Sequence, residues 1–255
     1  MIDIHSHILP EIDDGCRNFE DSIKALQEIE SKGIKKIILT PHYIKGSSFA
    51  CNNKEKKKLL EELQKQIKEK NIKVELYLGN EIYVDNDLEG LIKNDEVMTL
   101  NNSKYILFEL PMNNVVNNLK EVIFDLRSRG FVPILAHPER YFYYQNNSEE
   151  LISLIEQGCL LQGNLGSLIG LYGKRSKKCL KKLLMHNLIH FMATDVHHSN
   201  SKIYILLDEA ISALKIIIGE EETKKLIIEN PQKVINNQEI KITKPKEFKS
   251  FLKFF

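Results

Sequence analysis

An alternation restricts the fold more than any other feature of this chain. Short β-branched and apolar runs at residues 2–5, 36–40, 74–79, 105–110, 132–136, 159–162 and 188–193 are separated by longer stretches with helical spacing. The first such stretch, over 19–31, sets Ile23, Leu26 and Ile29 on one face and is closed by Gly33, the residue type that most readily ends a helix. A heavily charged helix follows over about 54–70, and a further one runs to about Arg129. Parallel neighbours need long crossovers, which these helices provide, so about seven strand-helix units predict an α/β fold whose parallel sheet closes into a TIM-like barrel. At 255 residues the chain can build this barrel as one domain, read here as residues 1–236. The tail over 237–255 mixes Lys241, Lys244, Lys246, Lys249 and Lys253 with Phe248, Phe251, Phe254 and Phe255. Its simplest reading packs the aromatics on the body and solvates the lysines; the alternative is contact with an anionic surface.

The net charge of +1 offers no global field for nucleic acid or membrane, so the chemistry must be local. No stretch approaches the roughly 18 apolar residues of a membrane span, and the N-terminus opens on an acidic, histidine-bearing strand rather than a signal peptide. A cytoplasmic protein is expected. Cys16, Cys51, Cys159 and Cys179 are scattered with no CxxC pair, which argues against a thiolate zinc site or a dithiol redox centre.

Metal-type ligands stand at the end of nearly every predicted strand, the edge where barrel enzymes assemble their sites. The first run leads into His5-Ser6-His7; side chains at i and i+2 of an extended backbone point the same way, so both imidazoles can reach one cation. Asp13 and Asp14 follow a loop containing Pro10 and can fold back over that spot. The later runs lead into His42, Glu81, Glu109, His137 with Arg140 three residues on, and Asp195 with His197. Any one of these alone reads as a capping or solvated residue; their recurrence in register marks a site. His186 and His190 lack this placement and are read as structural, with His198 a neighbour of the ligands.

The candidate ligands are His5, His7, Asp14, His42, Glu81, Glu109, His137, Asp195 and His197, too many for one tetrahedral ion. A nitrogen and oxygen set without sulfur suits manganese, iron or zinc, in two or three ions sharing carboxylates, with Glu81 and Asp195 as the expected bridges. Paired ions generate hydroxide near neutral pH and stabilise attacking and leaving oxygens, so phosphoester hydrolysis is the predicted chemistry. Arg140 is placed to clamp phosphate oxygens with its planar fork. Arg140, Asp195 and His7 are the residues on which catalysis is expected to depend.

These motifs resemble those of the PHP superfamily, named for polymerase and histidinol phosphatase. The stretches MIDIHSHILPEIDDG, TPHY, GNEIY, FELPMN, AHPER, QGNLGSLIG and ATDVHH, with ENPQKV near residue 234, are similar to the manganese-dependent tyrosine phosphatases of capsule and exopolysaccharide operons, the CpsB/CapC type. The resemblance implies a distorted (β/α)7 PHP barrel and a trinuclear centre. His5, His7, Glu81, Glu109, His137 and Asp195 would surround two ions, Asp14, His42 and His197 a third, with Glu81 shared. It implies manganese as the cofactor and, as partner, the C-terminal tyrosine cluster of a bacterial tyrosine kinase. One departure stands out: members often carry a second phosphate-facing arginine after the DxH motif, where this chain has Lys202, a point charge rather than a fork. The rival readings are a histidinol phosphatase, a phosphoesterase acting on nucleotides or DNA ends, and a metal-free regulatory binding module. The FELPMN and NLGSLIG segments favour the tyrosine phosphatase branch over the first, and the near-neutral charge weighs against the second.

Overall fold

The structure, a computed structural model, describes residues 1–85, 87–246 and 248. Its strands are β1 (Ile2–Asp3), β2 (Lys36–Leu39), β3 (His42–Tyr43), β4 (Glu75–Leu78), β5 (Glu81–Tyr83), β6 (Tyr105–Glu109), β7 (Val132–Ala136), β8 (Leu160–Asn164) and β9 (Phe191–Ala193). All pair in parallel, in a three-stranded array β1-β2-β4 and a six-stranded array β3-β5-β6-β7-β8-β9. β3 resumes β2 after Thr40-Pro41, and β5 resumes β4 after Gly79-Asn80, so the nine strands make seven staves. The ring closes at a parallel bridge between Ser6 and Val196. There the His7 amide donates to Val196 O at 2.8 Å and the Asp195 amide to His5 O at 3.0 Å. The α/β barrel expected from the sequence is present, with two staves broken near their mouth ends.

Both faces of the staves are buried, which is why they read as continuous apolar runs rather than alternating ones. Ile4, Ile38, Leu107, Ile134, Leu160 and Phe191 fill the barrel, while Ile37, Leu39, Ile106, Phe108, Leu135 and Leu161 pack outward against the helices. The pleat carries the inward set into the mouth: Tyr105 and Leu107 lead to Glu109, Leu160 to Gln162 and Asn164, Phe191 and Ala193 to Asp195.

The helices are α1 (Phe19–Ser31), α2 (Asn53–Glu69), α3 (Leu88–Lys93), α4 (Leu119–Ser128), α5 (Phe142–Asn146), α6 (Glu150–Glu156), α7 (Leu165–Leu168), α8 (Gly173–Met185), α9 (Lys202–Ile218), α10 (Glu220–Lys224) and α11 (Asn230–Ile235). α1 begins where Asn18 accepts the Asp21 amide at 2.9 Å, and Glu20 and Asp21 complement the helix dipole in its first turn. Leu100, in a one-turn helix, and Val234 of α11 stop the closed end of the barrel. Past α11, the Tyr105 hydroxyl donates to Gln238 O at 2.6 Å.

Beyond residue 236, Lys241, Lys244 and Lys246 are exposed, the Lys246 amide donates to His186 O at 2.9 Å, and Phe248 stacks on the His186 ring at 4.1 Å. Lys249, Phe251, Lys253, Phe254 and Phe255 lie outside the described residues.

Candidate metal centre

Every candidate ligand named from the sequence lies at the open end of the barrel. Glu81 is the hub. Its Oε1 meets His137 Nε2 at 2.9 Å, and its Oε2 stands 3.1 Å from His5 Nε2, 3.3 Å from His7 Nε2 and 3.1 Å from His42 Nδ1. His42 Nδ1 also lies 3.0 Å from Glu109 Oε1, while its Nε2 faces Asp14 Oδ1 at 3.6 Å. His197 Nε2 approaches the same Asp14 oxygen at 3.7 Å. The donors fall into overlapping sets: His5, His7 and Glu81; His5, His137 and Asp195; His42, Glu81 and Glu109; and His7, Asp14, His42 and His197.

On three of the histidines the ring nitrogen turned away from this centre has a partner that fixes the tautomer, while His137 Nδ1 is buried without one. His5 Nδ1 donates to Gln162 Oε1 at 2.7 Å, His7 Nδ1 to Asp13 Oδ2 at 2.7 Å, and His197 Nδ1 to the Asp195 carbonyl at 2.9 Å. Each leaves Nε2, the lone-pair nitrogen, directed inward, the arrangement found around metal-binding histidines.

The donor set fits divalent cations. Glu81 is fully buried, and its Oε2 makes no aligned hydrogen bond although three imidazole nitrogens crowd it. A buried carboxylate oxygen without a proton donor calls for a positive charge. The electrostatics agree. Burial opposes ionisation of Glu81, yet His5 and His42 hold its carboxyl well below the usual range, and His5 and His197 do the same for Asp195. Burial pushes the His5 imidazole down, but Glu81 and Asp195 outweigh it and bring it up to about 9. His197 goes the other way: burial and the facing His7 bring it down to about 4. Cations entering here would take the place of the protons these carboxylates draw onto the rings.

Glu81 and Asp195, the two carboxylates expected as bridges, face the centre differently. Both Glu81 oxygens face imidazole nitrogens, but Asp195 Oδ2 already accepts from Asn164 Nδ2 at 2.7 Å and Arg140 Nη1 at 2.8 Å. Only Asp195 Oδ1 faces the histidines, 3.4 Å from His5 and 3.5 Å from His7. Arg140 stacks on Tyr172, with Cζ 4.4 Å from the ring centre, and its side chain stays 25% exposed. Lys202 is the exposed first residue of α9. Of the remaining histidines, His190 is buried and accepts the Leu161 amide at 3.1 Å, burial holding it down at about 3. His198 Nδ1 lies 3.9 Å from Asp21.

Local backbone explains the placement. Cys16 N donates to His7 O at 3.0 Å, folding the 8–15 loop onto the first stave, and a Cβ on Gly15 would lie 1.9 Å from that carbonyl. Only glycine permits so close an approach, and Asp13 and Asp14 are positioned by it. His137 adopts left-handed backbone, φ 34 and ψ 54, before Pro138, a strained combination that turns the chain so that Arg140 comes back over Asp195.

Sequence reasoning noticed Asp13 but passed over the other residues that orient the candidate ligands. Gln162 Nε2 donates to Asn164 Oδ1 at 2.8 Å, linking His5 to Asp195 through two amide side chains. Fully buried Glu139 accepts from the Asn164 amide at 2.9 Å and the Ser167 hydroxyl at 2.7 Å, tying the Arg140 turn to the end of β8. The signal was the two-residue spacing of Leu160, Gln162 and Asn164.

The family model for capsular polysaccharide synthesis, CpsB/CapC, matches residues 1–236. The tyrosine-protein phosphatase YwqE of Bacillus subtilis (strain 168) is 33% identical over 240 residues, covering 94% of this chain and 93% of that protein. A crystal structure from the pair YwqE of Bacillus subtilis and CpsB of Streptococcus pneumoniae, described as metal-dependent tyrosine phosphatases, matches 98% of this chain and 100% of its own with a TM-score of 0.88 at 33% identity. A histidinol phosphate phosphatase from Lactococcus lactis shares the fold, with a TM-score of 0.58 at 14% identity over 89% of this chain and 94% of its own.

Proposed function

This chain belongs to the CpsB/CapC family of capsular polysaccharide synthesis proteins, and on that footing we propose that it is a metal-dependent protein-tyrosine phosphatase. Its substrate is phosphotyrosine on a bacterial tyrosine kinase that governs capsular or exopolysaccharide synthesis, and it works in the cytoplasm with two or three manganese ions. Among the described residues no helix is long and apolar enough to cross a membrane. The observation that carries the reading is one juxtaposition: a buried carboxylate hub ringed by imidazoles, with the partly exposed guanidinium of Arg140 on the same mouth.

His5, His7, Asp14, His42, Glu81, Glu109, His137, Asp195 and His197 would hold the ions, Glu81 being the shared ligand. Bound there, divalent ions supply an activated water near neutral pH and neutralise charge on the phosphoryl oxygens. Arg140 contributes the rest of the clamp. Its Nη1 is committed to Asp195 and its plane is fixed on Tyr172, leaving the other donors of the fork for phosphate oxygens. Lys202, exposed at the start of α9, would add a second point charge for the same anion. The departing phenolate has a conjugate acid of pKa about 10, so it needs less protonation than an alkoxide would.

The test is turnover of a phosphotyrosine peptide against histidinol phosphate, with bound metal quantified in the same sample. The expected result is preference for the peptide, dependence on manganese, and loss of both metal and activity in His7→Ala and Asp195→Ala. Preference for histidinol phosphate, or full activity in those variants, would overturn the proposal.

A further inference from the structure

α8 carries Lys174, Arg175, Lys177, Lys178, Lys181 and Lys182 in thirteen residues and no acid, in a chain whose net charge is only +1. α2 is equally rich in lysine, but Glu55, Glu61, Glu62 and Glu69 are interleaved there. Among the described residues the only ion pair made by the six α8 cations is Lys182 with Glu149, at 3.8 Å. Ser176, Cys179, Leu180, Leu183 and Leu184 form the buried face, so the charge is turned outward. Two of the cations also sit in the first turn, where the helix dipole favours acids. Arg175 gains a ring contact there, whereas Lys174 is exposed and makes no ion pair among the described residues; both add to the positive field at that end of the helix.

That end adjoins the mouth. Gly173 follows Tyr172, the ring beneath Arg140, and Gln145 of α5 donates to Ser176 Oγ at 3.2 Å, pinning the helix beside the Arg140 turn. Arg175 lies over the half-exposed ring of Phe142, 5.6 Å from its centre, and Leu171, the residue before Tyr172, is exposed. A thirteen-residue helix spans about 20 Å. That length matches roughly six residues of extended polypeptide.

We infer that the outer face of α8 docks an acidic segment of the polypeptide substrate, a few residues from the phosphotyrosine held at the mouth. The inference rests on the phosphatase reading for what lies in the mouth; charge complementarity selects the segment. Phe142 and Leu171 provide apolar contact where the peptide leaves the site, and the lysines beyond them meet carboxylates.

The test uses two peptides carrying a non-hydrolysable phosphonate analogue of phosphotyrosine, one flanked by Asp and Glu, the other by Ser and Gln. Binding to the metal-loaded protein is followed by fluorescence anisotropy. The wild type should bind the acidic peptide about 10-fold more tightly, an advantage that shrinks as salt rises from about 0.05 to about 0.3 M. Combined Lys174→Glu, Lys178→Glu and Lys181→Glu substitution should remove the preference while leaving hydrolysis of p-nitrophenyl phosphate unchanged; the matching Gln variants should be intermediate. The inference is overturned if the wild type shows no preference or the charge-reversed protein retains it. It is equally overturned if α8-dependent binding is seen with anionic vesicles and not with the acidic peptide. Failure to hydrolyse any phosphotyrosine substrate, with the acidic preference intact, would remove the phosphatase reading and leave the docking surface standing.

Discussion

Asp13→Asn isolates how the ligands are held from which atoms they offer. The Asp13 carboxylate accepts three hydrogen bonds: Oδ2 takes His7 Nδ1 at 2.7 Å and the His42 amide at 2.9 Å, while Oδ1 takes the Gly15 amide at 2.9 Å. Asparagine has the same outline but one oxygen. With that oxygen in the Oδ2 place, its NH2 opposes the Gly15 N–H, donor against donor; flipped, it fails both His7 and His42. The smaller loss, one hydrogen bond to a charged acceptor, costs about 1.5–3 kcal/mol. For a chain of this length that corresponds to a Tm lower by roughly 3–12 °C. His7 also loses the carboxylate that fixes its tautomer, so metal affinity should fall about 10- to 100-fold. Calorimetry in chelator reads the structural part, and metal content after dialysis against graded chelator reads the other. Asp14→Asn is the comparison: that side chain is 56% exposed, so its loss should lower metal retention with little effect on the metal-free Tm. Wild-type Tm and metal retention in Asp13→Asn would refute this account of the 8–15 loop.

Arg140→Lys should retain metal but lower kcat/KM for a phosphotyrosine peptide about 100-fold, since an ammonium can neither pair with Asp195 while forking onto phosphate nor stack on Tyr172; unchanged kcat/KM would contradict the clamp. Iodoacetamide at neutral pH should leave activity intact, because burial pushes the Cys16 and Cys159 thiols up to about 12 and the Cys51 and Cys179 thiols up to about 11; inactivation blocked by substrate would point to a thiol nucleophile instead. Lys56 is fully buried against Asn80, and burial brings its ammonium down to about 8. Between about pH 8 and 10.5 the unfolded chain therefore holds the proton that the folded one has released, and this residue adds stability as pH rises, up to about 3 kcal/mol. In Lys56→Met that increment should vanish when unfolding curves are compared with wild type across the window, and identical pH slopes would exclude it.

The positions that gather at the mouth were legible because a strand's two-residue period carries apolar spacing into polar spacing without a break: Leu107 announces Glu109, and Ala193 announces Asp195. The breaks in the second and third staves were harder to see. Pro41 has no N–H for a ladder, and a Cβ on Gly79 would lie 2.8 Å from Leu100, so both residues read as strand ends although β3 and β5 resume beyond them. Which oxygen of Asp195 faces the centre could not be read from spacing, since Asn164 and Arg140 arrive from other staves. The α8 surface escaped notice because periodicity reports the buried face of a helix and is blind to what the outer one meets.

The seam of the barrel bears on the life of the protein as well as its chemistry. β1 pairs regularly over only two residues with β2 and meets the last stave in one bridge. Asp3 and Thr194, hydrogen-bonded there, are 191 positions apart. During synthesis the first stave must wait with one edge bare until nearly the whole chain has emerged, and contacts of such separation close late. His5 and His7 lie on one side of that seam, Asp195 and His197 on the other. An ion shared between them would act as a clasp, and scarcity of metal in the cell would then shorten the survival of the molecule against proteases as well as slow its turnover.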